Sequence, residues 1–297
     1  EIPSWAKTRC VALLTPTAPG RANFYGKTDD KDNFWNRFVE YKFPAVIDPE
    51  YDDQGDLVGG ETAWDKFPLE HWQQEQRINA YGFRLEYMCD PTPMPDDRSL
   101  IRIDRLKTET AEPKTLYCLV DPASGSGDEF AYAVGGVLRD KQGTRLHIKE
   151  VGGFSNMLPD EIMDRLLERL HDRGCKMVVV EENYPSQSTI KAAAIRRKLP
   201  LVIEAFKTTI KSGSKEDRLK MRLPSYLHAG SVTFDPSVLQ NGDTTGQMAA
   251  LRGVSGLPAR VDRLDAIEML CSKFADAVRA NPNPEGKRPK KVKLIRR

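Results

Sequence analysis

Three stretches of this 297-residue sequence deliver acids from apolar surroundings. Asp121 follows LYCLV and Glu181 follows MVVV, while Asp262 and Asp265 open a segment whose apolar side chains are Leu264, Ile267, Met269, Leu270 and Phe274. Carboxylates brought to one place repel and raise each other's pKa unless cations compensate them. With oxygen donors only and no clustered His or Cys, the fitting cations are Mg²⁺ or Mn²⁺ rather than zinc. The chemistry open to such a set is metal-assisted hydrolysis. A single acid at a strand end is a common turn residue, whereas three at neighbouring positions favour a metal site. Asp128, closing the loop DPASGSGDE, is a further candidate that would serve equally as a strand-start residue.

The positioning elements follow from hydrophobic periodicity. Residues 116–121, 130–138 and 145–151 read as three strands joined by short turns, an antiparallel meander. Pro159 opens a helix over 160–173 in which Ile162, Met163, Leu166, Leu167 and Leu170 form one face, and Gly174 stops it. There follow a buried strand over 177–181, a helix over 186–198, a strand over 201–205, a helix over 214–228, a short strand over 232–234 and a closing helix over 261–278. The first eight of these elements, βββαβαβα, follow the order of an α/β, ribonuclease-H-like mixed sheet flanked by helices. If the first and fourth strands are parallel neighbours, Asp121 and Glu181 end side by side, about 5 Å apart.

Charge distribution points to a polyanion. Between Lys191 and Arg222 ten Lys or Arg, among them Arg196, Arg197, Lys211, Lys215 and Arg218, face only Glu204, Glu216 and Asp217. Such a segment beside an acidic site suits a phosphodiester backbone, with a solvated helix face as the plainer alternative. The last 17 residues carry seven Lys or Arg and one Glu after a Pro-rich hinge, net +6, leaving −4 on the rest of a chain whose total is +2. That composition predicts an extended basic tail. No apolar run approaches the roughly 18 residues of a membrane span, and the N-terminus lacks a signal-peptide pattern, so neither membrane association nor secretion is expected. Five scattered cysteines without C-x-x-C support neither a disulfide framework nor a zinc ribbon, and are expected to be free thiols. GRANFYGKT at residues 20–28 ends like a P-loop, but five residues separate its glycines instead of four and Asp29, Asp30 and Asp32 follow, so ATP binding there is not expected.

The region before residue 98 is rich in aromatics, with a helix expected over 69–84, yet looks incomplete as a domain. The break at CDPTPMP (residues 89–95) divides the chain into 1–97, 98–280 and the tail 281–297. The first residue, Glu1, is expected to mark a fragment of something longer.

Four blocks, DPASGSGDE at 121–129, VVVEEN at 178–183, SKEDRLKMRLPSYLHAGSVTF at 214–234 and VDRLDAIEML at 261–270, together resemble the nuclease domain of tailed-phage terminase large subunits, the DNA-packaging motors. LLTPTAP at 13–19, WDKFPLEHW at 64–72 and FRLEYMCDP at 83–91 resemble the end of the family's ATPase domain and its linker, with no acceptable nucleotide-binding motif before them, so the chain reads as truncated inside the motor and without ATPase activity. The resemblance implies a two-metal-ion endonuclease cutting concatemeric double-stranded DNA. Its catalytic and metal-binding residues would be Asp121, Glu181 and Asp262, with Asp265 and Asp128 as further ligand candidates and two Mg²⁺ or Mn²⁺ ions. Glu181 is preferred to Glu182 because it keeps the family's E-x-N spacing to Asn183. The family commonly has two adjacent Asp where this chain has Val261 and Asp262. Lys215, Arg218, Lys211, Arg196 and Arg197 would contact DNA. Implied partners are a portal protein or procapsid and a small terminase subunit, in the cytoplasm of an infected bacterial host. The alternatives are another ribonuclease-H-like nuclease, such as a Holliday-junction resolvase or transposase, or a non-catalytic DNA-binding or scaffold domain.

Overall fold

The computed structural model describes residues 44–90, 99–122, 129–141, 143–155, 159–181, 186–206, 214–253 and 256–275. Asp128, Asn183, Lys211 and the tail lie outside them, as does the P-loop-like segment. The chain divides into two compact units, residues 1–95 and 96–297.

In the first unit, strands β1 (Val46–Tyr51) and β2 (Leu57–Thr62) form an antiparallel hairpin. Its turn is held by Asp52, whose carboxylate accepts from the N–H groups of Gln54 and Asp56, and by Gly55 at φ 75°. Helix α1 (Leu69–Ile78) lays Trp72 onto Val46, Leu57 and Phe83. The helix expected to run to residue 84 stops at Ile78, because Asn79 leaves helical geometry and its side chain accepts from Gly82 N–H, starting a new helical turn that continues as a π-helix over Phe83–Tyr87.

The second unit is built on a seven-stranded mixed sheet. Its strands are β3 (Lys107–Thr108), β4 (Tyr117–Asp121), β5 (Phe130–Asp140), β6 (Gly143–Phe154), β7 (Met177–Glu181), β8 (Val202–Phe206) and β9 (Val232–Phe234), in the spatial order β3-β9-β6-β5-β4-β7-β8. The meander β4-β5-β6 is antiparallel, and β7 and then β8 add in parallel beyond β4. This is the ribonuclease-H-like arrangement expected from the element order. The parallel extension occurs at both edges, since β9 crosses over to pair with β6 and carries β3 outside it.

Alternation along the strands separates two cores. Cys118, Val120, Tyr132 and Val134 face helices α2 (Pro159–Asp172) and α3 (Ser186–Arg196), where Ile162, Met163, Leu166, Leu167 and Leu170 are all buried. Truncating one of those leucines to Ala would cost about 2–5 kcal/mol. Leu119 and Asp121 therefore point to the opposite face. The chain there passes through a helical turn at Lys215–Asp217, a π-helical turn at Arg218–Arg222, and helices α4 (Leu223–His228), α5 (Pro236–Gln240) and α6 (Gly242–Ala250) before α7 (Asp262–Lys273). Helix α7 packs on β4, β5, β6, α4 and α6, so every residue from Arg263 to Cys271 is buried. Its charged residues must then find partners inside the protein. Two expectations change in this half: the helix over 214–228 is interrupted by the π-turn, and residues 236–250, left unassigned by periodicity, form two helices capped by the Asp235 and Asn241 side chains. Cys118, Cys175 and Cys271 are buried free thiols and Cys89 is half-buried.

Candidate active site

The strand register brings the β4 and β7 ends together. Val120 pairs with Val180, so the next residues, Asp121 and Glu181, end adjacent parallel strands. The Glu181 side chain lies outside the described atoms. On the far face, the first turn of α7 places Asp262 and Asp265 three residues apart on one side of the helix. Both sit where the helix dipole favours negative charge.

Between these acids stands one ammonium group. Lys215 Nζ lies 3.3 Å from Asp121 Oδ2, 3.7 Å from Asp262 Oδ1 and 3.1 Å from Asp265 Oδ2. A capping box fixes the backbone before it: Ser214 Oγ accepts from Asp217 N–H while the Asp217 carboxylate accepts from Ser214 N–H, each at 3.1 Å. Arg218 is buried, and its Nη1 donates to Asp265 Oδ1 at 2.8 Å and to Glu268 Oε2 at 2.7 Å. Four carboxylates thus share two cations in a poorly hydrated space. Burial is the main force raising the Asp121 pKa to about 7, and repulsion from Asp265 and Asp262 adds to it, outweighing the attraction of Lys215. Burial disfavours the charge on Lys215, yet Asp265 and Asp121 hold its pKa above the usual lysine value.

The donor set fits a hard divalent cation in chemistry, being carboxylate oxygen in excess of local positive charge. Among the described residues no group of three or more His, Cys, Asp or Glu closes on one point as a ready metal site. The carboxylates instead converge through Lys215.

A second cluster backs the first. Glu129 N–H donates to Asp262 Oδ2 at 3.2 Å, and the Glu129 carboxylate takes two hydrogen bonds from Arg263, at 2.6 Å and 2.9 Å. Gln247 on α6 donates to Glu129 and accepts from Arg263 N–H. Glu129, Gln247, Arg263 and Glu268 were not expected as site residues. Arg263 and Glu268 belong to a helix that the fold buries on every side, and such a helix must pair the charges it carries.

The basic segment divides in two. Lys191, Arg196, Arg197 and Lys198 are exposed around the end of α3, with Arg197 2.7 Å from Asp164. Lys215 and Arg218 turn inward to the acids instead, and Lys220 is buried against Glu216 at 2.8 Å. A cavity of about 820 Å³ opens elsewhere, between β6 and α2, and its lining includes Glu150, Arg169 and Arg263 but none of Asp121, Asp262 or Asp265.

Residues 120–232 match the family model described as Terminase Bacteriophage T7, Ribonuclease H-like domain. No curated protein matches the chain. Among solved structures, the large terminase of a thermophilic bacteriophage is similar at 11% identity and a TM-score of 0.48, over 71% of this chain and 53% of that one. The nuclease domain of the bacteriophage SPP1 large terminase, solved with bound Mn, matches at 14% identity and a TM-score of 0.39, over 58% of this chain and 98% of that one. The fowlpox virus Holliday junction resolvase matches at 12% identity and a TM-score of 0.36, over 55% of this chain and 99% of that one. The chain spans about half the length of the thermophilic phage's large terminase.

Proposed function

We propose, taking as premise that residues 120–232 form a ribonuclease-H-like domain of the terminase large-subunit type, that this chain is a metal-dependent endonuclease that hydrolyses phosphodiester bonds of double-stranded DNA. The observation that carries the reading is the gathering of Asp121, Asp262 and Asp265 around Lys215, with Asp121 held near pKa 7. Strongly perturbed carboxylates concentrate at functional sites, and Asp121 stands among further acids rather than in a balanced pair. Asp121, Glu181 and Asp262 are the residues that would hold Mg²⁺ or Mn²⁺, two ions in the full site, with Asp265 and Asp128 as further candidates. Bound there, such cations supply an activated water and charge stabilisation at the leaving oxygen.

The chain's own groups perform the remaining tasks. Asp121 and Asp262 present oxygens from a strand end and a helix start, two rigid elements. Lys215 keeps these carboxylates together when no divalent ion is bound, and its ammonium is the group placed to approach a backbone phosphate once they are otherwise engaged. Arg218 anchors Asp265 and Glu268 rather than reaching outward in this conformation. Arg196 and Arg197 offer exposed charge for the DNA backbone, and Lys211 and Lys215 extend the same assignment.

In the family context, the substrate would be concatemeric phage DNA in the cytoplasm of an infected bacterial host. The partners would be a portal protein or procapsid, reached through the basic tail, and a small terminase subunit. Residues 1–97 would be the end of an ATPase domain with its linker, 98–280 the nuclease domain, and no ATP hydrolysis is expected of this chain. Incubating supercoiled plasmid with the chain and Mn²⁺ or Mg²⁺ tests the reading: nicking is expected, and Asp121→Asn should abolish it. Metal-independent cutting, or cutting that survives Asp121→Asn, would refute it.

A further inference from the structure

Helix α7 carries the candidate ligand Asp262 at its first residue but has no cap of its own. Val261 occupies the N-cap position and makes no side-chain hydrogen bond. The first-turn N–H groups of a buried helix need acceptors. Gln247, on the neighbouring helix α6, supplies one: its Oε1 accepts from Arg263 N–H at 3.0 Å, while its Nε2 donates to Glu129 Oε2 at 3.2 Å. Glu129 in turn accepts two hydrogen bonds from the Nε–Nη2 edge of the Arg263 guanidinium, and its own backbone N–H donates to the Asp262 carboxylate. The residue just before β5 thereby holds the side chain of Arg263 and the side chain of its chain neighbour, Asp262.

The strand beneath is shaped to allow this. Gly153 on β6 pairs with Ala131, and a Cβ at Gly153 would collide with the Glu129 carboxylate, so only glycine leaves room for Glu129 to lie over the sheet toward Arg263. The ion pair is well buried, with side-chain exposures of 6% for Arg263 and 10% for Glu129. Breaking a buried pair of this kind is costly, which gives the arrangement a single geometry.

We propose that Glu129, Arg263 and Gln247 are positioning residues, which together fix the Asp262 carboxylate for the divalent cation. The proposal rests on the metal-site reading above. A residue that orients a ligand from behind typically contributes 10–100-fold to metal affinity.

Mn²⁺ titrated calorimetrically into the full chain, without DNA, tests this apart from catalysis. Gln247→Ala removes the external cap but leaves the Arg263–Glu129 ion pair, and should weaken Mn²⁺ binding by about tenfold with cooperative unfolding retained. Glu129→Gln should weaken it further. If that variant does not fold, Gln247→Ala decides alone. Gly153→Ala, which displaces Glu129 without altering any polar group, should also lower the affinity. Wild-type Mn²⁺ affinity in Gln247→Ala, beside a clear loss in Asp262→Asn, would overturn the positioning role. Equal affinity in wild type and Asp262→Asn would overturn the metal-site reading, and this proposal with it.

Discussion

The sheet carries two clusters that each set four acids against two bases, and they behave in opposite ways. At β6 and β9, Arg145 binds Glu109 through two hydrogen bonds of 2.7 Å and Asp140 at 2.8 Å, while Lys149 binds Glu112 at 2.6 Å and Asp235 at 2.9 Å. The surplus acids there stand in water, with Asp140 46% and Glu112 73% exposed. The better-buried Glu109 takes a hydrogen bond from Arg145 on each oxygen and another from Thr233, and that hydrogen bonding holds its pKa below the ordinary value despite desolvation. At the β4 end, by contrast, Asp121, Asp262, Asp265 and Glu268 are all at most 15% exposed around Lys215 and Arg218. There burial pushes Asp121 up to about 7. Equal numbers of charges thus make a stabilising network in one place and an unmet demand for positive charge in the other, and the difference is where the surplus acids sit.

The contrast breaks first on activity. Asp121→Asn should lower metal-dependent plasmid nicking by on the order of 10³-fold, the equivalent of several kcal/mol of lost charge stabilisation, while Glu109→Gln cuts at close to the wild-type rate. Stability should move the other way, measured by urea unfolding of the metal-free chain at pH 8. Asp121 moves from an ordinary 3.8 to about 7 on folding, so the folded chain holds the extra proton between those values. Its contribution is therefore full below about pH 4 and is lost as pH rises through about 7. Asp121→Asn removes that dependence and should stabilise the chain at pH 8 by up to roughly 4 kcal/mol. Glu109→Gln, which leaves Arg145 short of an ionised partner, should destabilise it by about 1–3 kcal/mol. If both substitutions shift stability in the same direction, the two clusters do not differ as argued.

The smallest effect concerns DNA affinity. Replacing Arg196 and Arg197 by Ala should reduce the slope of log K against log salt by about one or two units. Arg218→Ala should leave that slope unchanged, because its guanidinium is committed to Asp265 and Glu268. A flatter slope in Arg218→Ala would place that arginine on the DNA.

Much of the sheet was legible because its strands are bounded and apolar: MVVVE and LYCLVD announce both a buried strand and the acid at its end. Helix α2 was equally plain from its leucine face. Helices α5 and α6 were not, since PSVLQ and GDTTGQMAA have no apolar period and are held by side-chain caps and by packing. The inward turn of Lys215 and Arg218 was also hidden. Counting charge along residues 191–222 treats every cation alike, whereas the capping box at Ser214 and the π-turn aim these two at α7. The role of Glu129 depends on contacts with Gln247, Asp262 and Arg263, each more than 100 positions away, which no local pattern carries.

A crystal of the chain soaked in Mn²⁺ tests the central claim most directly, through anomalous scattering at the manganese edge. The account predicts manganese bound against Asp121 and Asp262, with Lys215 Nζ displaced from their oxygens. Lys215 still seated between the three aspartates, with no anomalous peak at the ends of β4 and β7, would contradict it.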